Sequence, residues 1–356
     1  MKKKFSEITI NERKIGEIYS PYIIAEMSAN HNGKIENAIK LIDIAKKCGA
    51  DAVKLQTYTA DTLTIDSPSE DFLIQGGLWD GKRLYELYDE ASTPWDWHKK
   101  LFSHAQKSEI TIFSSPFDSS AIDFLEDLNA PAYKIASFEA VDIPLIKYAA
   151  STGKPIIIST GMINKMEIQE AVDAAYSAGC KELALLHCVS SYPASPDDYN
   201  LRTLKNIKES FECVTGLSDH TVTNTTAIAS ISIGASIIEK HFTLDRNGGG
   251  PDDSFSLEPN DLQHLCKESM IAWQALGSID YELKKGEKPN KKFQRSLYFV
   301  QDLKKGDIIS SNHVRSIRPG FGLAPKYLDK VIGNTLEVDV SFGTAVTDDC
   351  LKNKVN

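Results

Sequence analysis

The sequence predicts a (β/α)8 barrel, an α/β fold of the TIM-barrel type, followed by a small β-rich domain. Three observations predict it. Between Tyr22 and about Ser278, short apolar runs alternate with amphipathic stretches eight times over. No GxGxxG follows the first run, which disfavours a doubly wound open sheet. After residue 280 the chain changes to short strand-like runs with closely spaced glycine turns.

The eight runs are YIIAEMS (22–28), AVKLQTY (52–58), ITIFSSPF (110–117), AYKIAS (132–137), PIIIST (155–160), LALLHCV (183–189), CVTGLS (213–218) and SIIEKHF (236–242). Each is short and largely apolar, as a strand buried on both faces reads. Between them lie helical patterns. NAIKLIDIAKKCG (37–49) sets Ile39, Ile42 and Ala45 on one face and stops at Gly49. MEIQEAVDAAYSAGC (166–180) repeats that design, and PNDLQHLCKESMIAWQALG (259–277) closes the series. Parallel strands joined by helices close at eight into a barrel of roughly 250 residues. One unit is irregular. Residues 59–94 form a long insertion after the second strand, and long βα loops lie at the catalytic face of such barrels. The predicted division is a barrel domain over 1–280, a polar linker over 281–295 and a β-rich domain over 296–356.

Composition narrows the function. The chain has 356 residues, 42% apolar and 25% charged, with net charge −9. An acidic balance argues against broad binding to nucleic acid or anionic membrane. No apolar stretch approaches the ~20 residues of a membrane span, and MKKKFSEITI lacks the apolar core of a secretory signal. Six scattered cysteines (Cys48, Cys180, Cys188, Cys213, Cys266 and Cys350) with no CxxC pair read as reduced thiols in a cytoplasmic protein.

In a barrel, chemistry sits where strands end. Those positions carry Glu26, Asn30 and His31, then Lys54 and Gln56, then Ser114 and Ser115. Next come Lys134 and Ser137, then Ser159 and Thr160. His187, Ser190, Ser191 and Tyr192 follow, then Ser218, Asp219 and His220, and finally Glu239, Lys240 and His241. Lysines and hydroxyls converging on one cavity suit an anionic ligand such as phosphate. The alternative is that Lys54 and Lys134 simply pair with carboxylates such as Glu26 or Glu239. His220 and His241 lie 21 residues apart, about one βα unit, and so fall on neighbouring strands. Two imidazoles there are either hydrogen-bonded core residues or ligands of a divalent cation with open positions. Strand alternation puts Glu239 on the side of His241 and turns Lys240 toward the helical layer.

At this point the residues resemble a family. IAEMSANHNG (24–33), AVKLQT, SSPF, YKIAS, ISTGM (158–162), HCVSSYP (187–193), GLSDHT (216–221) and EKHFTLDR with its following GPD (to 252) come in the order of the sialic acid synthases. KKGDIIS and IRPGFGLAPK resemble the antifreeze-like SAF (β-clip) domain those enzymes carry. Within the family, residues 78–98 and 248–259 are most similar to the pseudaminic acid synthases. The resemblance implies condensation of phosphoenolpyruvate with an open-chain acetamido-sugar aldehyde. For that branch the sugar is 2,4-diacetamido-2,4,6-trideoxy-L-altrose, and phosphate is released. It implies a divalent metal (Mn2+ or Mg2+, with Co2+ a further option) and a homodimer in which each antifreeze-like domain covers its partner's barrel.

By motif matching, His220 and His241 correspond to the metal ligands. Lys54, Lys134, Ser115, Ser137, Ser159, Ser190, Tyr192 and Ser218 correspond to the phosphoenolpyruvate pocket, with Gln56 beside them. Glu26 and Asp252 correspond to acids that contact the sugar or the reacting water, and the sequence does not separate the two. Arg318 corresponds to an arginine that reaches the partner's site. Ser190 stands where sialic acid synthases usually carry Asn, and EMSANHNG departs from their first motif; both changes point to an acceptor other than N-acetylmannosamine. Competing expectations are a sialic or legionaminic acid synthase, a carbohydrate- or ice-binding module on a scaffold barrel, and an aldolase with a Schiff-base lysine, which needs a lysine in an apolar pocket.

Overall fold

The computed structural model describes residues 7–355. It opens with a small antiparallel hairpin, β1 (Ile8–Ile10) and β2 (Arg13–Ile15). Asn11 and Glu12 turn it with φ of 47° and 68°, the paired positive values of a hairpin turn whose twist suits the flanking strands. Strands of three residues carry too little periodicity to be read from sequence, and the hairpin was not anticipated.

The eight expected runs are the barrel strands: β3 (Tyr22–Glu26), β4 (Ala52–Thr57), β5 (Thr111–Pro116), β6 (Tyr133–Ile135), β7 (Ile156–Ser159), β8 (Leu183–Cys188), β9 (Val214–Ser218) and β10 (Ile237–His241). All pair in parallel, and β10 closes the ring on β3 with His241 opposite Glu26. Inside the lower barrel, Ile24, Ala52, Phe113, Ile157, Leu186 and Ile237 pack together, and Ile8, Ile10 and Ile15 of the hairpin join that cluster. Because side chains alternate along a strand, these residues fix which parity of each strand points inward.

Two further apolar clusters lie between strands and helices. The helix Ile35–Cys48 buries Ala38, Leu41, Ile42 and Ala45. Ile39, expected on that face, is only half-buried at its edge. Gly49 ends the helix as anticipated, left-handed at φ 95°, with Lys46 and Lys47 in the last turn. The insertion folds into the short helices Ala60–Leu63 and Leu84–Ala91, joined through a bridge between Leu73 and Arg83.

Two compact units divide the chain, Met1–Gly277 and Ser278–Asn356. Residues 281–295, expected as a linker, fall in the second unit and include a 3-10 turn, Lys288–Phe293. That unit holds the antiparallel pair β11 (Ser296–Phe299) and β12 (Val314–Ile317) and its own core, including Leu297, Phe299, Val331 and Val346. No helix among the described residues is long and apolar enough to cross a membrane.

Candidate active site

The inward parity of the lower core continues to the strand ends. There it selects Glu26, Lys54, Gln56, Ser115, Lys134, Ser159, Ser218, Glu239 and His241. The opposite parity removes several residues from the cavity. Ser114 bonds Thr57 at 2.6 Å, Thr160 bonds the Leu186 carbonyl, and His187 bonds the Tyr199 carbonyl. Lys240 is turned away as expected. It pairs with Asp219 at 2.8 Å and donates to the carbonyls of Thr221 and Thr223, which fastens the loop after β9. Asn30 donates to the Phe242 carbonyl and Ser256, and His31 packs against Trp97; both are structural.

The inward residues form one charged network. Lys54 Nζ lies 2.7 Å from Glu26 Oε2, a charge contact without hydrogen-bond alignment. It also donates to Ser115 at 3.1 Å and lies 3.9 Å from Glu239. Gln56 donates to Glu26 at 3.1 Å. Lys134 lies 3.5 Å from Glu239, whose Oε1 accepts from Ser218 at 3.2 Å. Each lysine therefore faces a carboxylate rather than a purely apolar pocket, although burial holds Lys134 below the usual lysine range.

Pairing does not exhaust the site. Burial pushes the Glu26 carboxyl up to about 7, against the pull of Lys54 and with the push of Glu239. Burial also favours a neutral Glu239, but Lys134 and Lys54 outweigh it and hold that carboxyl below its usual range. Glu239 Oε2 and the Ser159 hydroxyl have no hydrogen-bond partner among the described residues. When Glu26 is protonated, two lysines face one carboxylate, and a buried excess of positive charge is stable only beside an anion.

His220 and His241 stand above this network, ring centroids 5.5 Å apart. Tyr192 packs 4.3 Å from His220, and Phe255 lies 5.0 Å from His241. His220 Nδ1 contacts the Val189 carbonyl at 2.7 Å, so that the neutral ring would carry its lone pair on Nε2. His241 is held well below the usual imidazole range by burial and by His220. Its Nδ1 is buried without a hydrogen-bond partner, 3.9 Å from Asp252 Oδ2. Ser28 donates to that same Asp252 oxygen at 2.5 Å. Two neighbouring imidazoles with free nitrogens fit a divalent cation. No group of three His, Cys, Asp or Glu is spaced for a metal among the described residues, so further ligands would come from substrate or water.

Three participants escaped the sequence reading. Cys188 carries the inward parity of β8. Its sulfur lies 4.0 Å from His220 Nδ1 and 3.8 Å from the Ser190 hydroxyl. Burial raises the thiol, but His220, Ser137 and Lys134 outweigh it and bring it down to about 7. Glu139 ends a 3-10 turn begun by Ser137, and burial lifts it to about 7. Gly161 makes room for two hydroxyls: a Cβ there would lie 2.4 Å from Ser190 Oγ and 2.7 Å from Ser137 Oγ. Of the expected residues, Arg318 belongs to the second unit. It is exposed there and makes no hydrogen bond or ion pair among the described residues.

A cavity of about 420 Å3 opens from Gln56, Tyr192, His241 and Asp252 toward the insertion. Fold and site together define a (β/α)8-barrel protein whose strand ends gather two buried lysines, two glutamates and a histidine pair, with a separate β-rich unit after it. Residues 41–281 match the NeuB family and residues 294–352 the SAF domain, and the chain belongs to the NeuB family. It is 42% identical to a pseudaminic acid synthase of Campylobacter jejuni over 92% of this chain and 95% of that one. It is 36% identical to an N,N'-diacetyllegionaminic acid synthase of the same species, over 87% and 94%. Among solved structures, the N-acetylneuraminic acid (sialic acid) synthetase of Leptospira borgpetersenii in complex with citrate superposes with a TM-score of 0.71. That match has 31% identity and covers 80% of this chain and 94% of that one.

Proposed function

We propose that the protein is a pseudaminic acid synthase. It joins phosphoenolpyruvate to the aldehyde carbon of 2,4-diacetamido-2,4,6-trideoxy-L-altrose, adds water and releases phosphate. The observation that carries this reading is the buried Lys54–Glu26–Glu239–Lys134 network beneath the His220–His241 pair. That arrangement supports a reading in which an anion is bound and a carbonyl activated at one mouth. The likeness to the C. jejuni pseudaminic acid synthase supports the choice of acceptor.

Lys54 and Lys134 receive the phosphate and carboxylate of phosphoenolpyruvate, and Ser115, Ser137, Ser159, Ser190 and Ser218 donate to their oxygens. The methylene carbon attacks the aldehyde, leaving an oxocarbenium at C2. Water adds there, and the C–O bond to phosphate breaks. His220 and His241 would hold a divalent cation (Mn2+, Mg2+ or Co2+), which would supply Lewis acidity for the aldehyde oxygen. Tyr192 packs on His220, fixing the ring's plane. Asp252, held by Ser28 beside His241, orients the acceptor. Glu26, with its carboxyl near 7, exchanges a proton with the reacting water. Arg318, exposed and uncommitted in its own unit, reaches the partner's site in a homodimer whose SAF domains cap each other's barrels.

Phosphate release from phosphoenolpyruvate, measured with each candidate sugar, tests the reading. Turnover is expected with the trideoxy-altrose. Preference for N-acetylmannosamine or for the legionaminic precursor would reassign the acceptor, and release with none would sink it.

A further inference from the structure

The cavity beyond the catalytic residues is lined by two unlike sets of side chains. One is polar, with Gln56, Tyr192, His241 and Asp252. The other is apolar and comes largely from the insertion: Leu63, Ile74, Trp79, Leu84 and Leu87, completed by Phe117. The insertion is anchored rather than loose. Trp79 Nε1 donates to the Pro251 carbonyl at 3.1 Å, directly beside Asp252. The Trp79 ring lies 5.9 Å from Tyr192, itself 6.0 Å from His241. Ile74 is held by paired backbone bonds, its N–H to the Lys82 carbonyl and its carbonyl to the Gly81 N–H, both at 2.9 Å. Tyr58 stacks edge-on against Phe117 and Tyr88, tying the wall to the end of β4.

We infer that this wall is the determinant by which the enzyme selects a deoxygenated acceptor. The inference rests on the proposed acceptor chemistry. With the aldehyde at His220 and His241, the far end of an open-chain six-carbon sugar extends away from the strand ends, toward Trp79 and the insertion. A C6 methyl and the methyl of a C4 acetamido group match an aliphatic and aromatic surface. Hydroxyls at those carbons would lose water against Leu63, Ile74 and Leu84 with no partner supplied. Trp79 then serves as a positioning residue, because its bond to Pro251 couples the wall to the loop that carries Asp252.

The test compares kcat/KM for 2,4-diacetamido-2,4,6-trideoxy-L-altrose with that for its 6-hydroxy analogue, 2,4-diacetamido-2,4-dideoxy-L-altrose. The wild type should favour the 6-deoxy sugar by about 10- to 100-fold, the range open to an apolar pocket judging a hydroxyl. The double variant Ile74→Asn, Leu84→Asn should bring that ratio toward one while KM for phosphoenolpyruvate stays unchanged. If the variant does not fold, the wild-type ratio by itself still supports or overturns the wall's role. Equal use of both sugars by the wild type would overturn that role and leave the proposed activity standing. A folded double variant with an unchanged ratio would overturn the role of Ile74 and Leu84. Phosphate release confined to fully hydroxylated hexosamines would overturn both the inference and the acceptor on which it rests.

Discussion

Glu26 is the residue on which the charge balance of the site turns. It faces Lys54 and Gln56, with Glu239 and Lys134 one contact further. Burial lifts its carboxyl to about 7, so below that pH it is neutral and Lys54 is free for an anion. Above it the carboxylate neutralises Lys54. Affinity for phosphoenolpyruvate should therefore fall as pH rises through about 7. Glu26→Gln, titrated calorimetrically beside the wild type, should lose that component; identical pH profiles would remove Glu26 from the balance. Lys240 offers the contrasting case of a buried lysine with a structural task. Lys240→Met leaves Asp219 buried without its cation and should cost about 3–5 kcal/mol of stability in denaturant titration. A loss within ~0.5 kcal/mol, the range of an ordinary surface substitution, would contradict that assignment.

At the scale of elements, alternation decides what each strand end contributes. The eight runs were legible because parallel strands buried on both faces read as continuous apolar segments. Much of the site was legible because ionisable groups ending such runs are expensive unless used. What stayed hidden was the inward parity of seven strands, since an apolar run does not reveal its inner face. Only at β10, where Glu239, Lys240 and His241 differ in chemistry, could alternation be read directly. The lower-core residues of β8, Ala184 and Leu186, point on to Cys188, so the missed thiol becomes predictable once any inward residue is known. Glu139 and Gly161 had no such signal, because their roles depend on turns that bring them back over the mouth. The hairpin β1–β2 was invisible for want of length, yet Ile8, Ile10 and Ile15 are wholly buried beneath the barrel. Ile10→Ala should cost about 2–5 kcal/mol, read as a lowered denaturation midpoint. A change below ~0.5 kcal/mol would mean that the hairpin merely rests on the barrel.

On the scale of the whole molecule, the chain is two units with separate cores, and the proposed dimer makes one complete the other. His241→Ala and Arg318→Ala should each be nearly inactive. Mixed and allowed to exchange subunits, they should regain activity, because half the dimers become mixed and each holds one intact site of two. That is on the order of a quarter of wild type. No recovery after verified exchange would confine Arg318 to its own subunit. Beneath the expectations about activity lies a single chemical claim, that the strand-end network binds phosphoenolpyruvate and that its C–O bond breaks during condensation. Phosphoenolpyruvate carrying heavy oxygen in the C2–O–P bridge, incubated with enzyme, divalent cation and the trideoxy-altrose, tests it directly by mass spectrometry of the products. The label should leave with phosphate, and only when the acceptor is present. Label retained at C2 of the keto acid, or released without acceptor, would contradict the account.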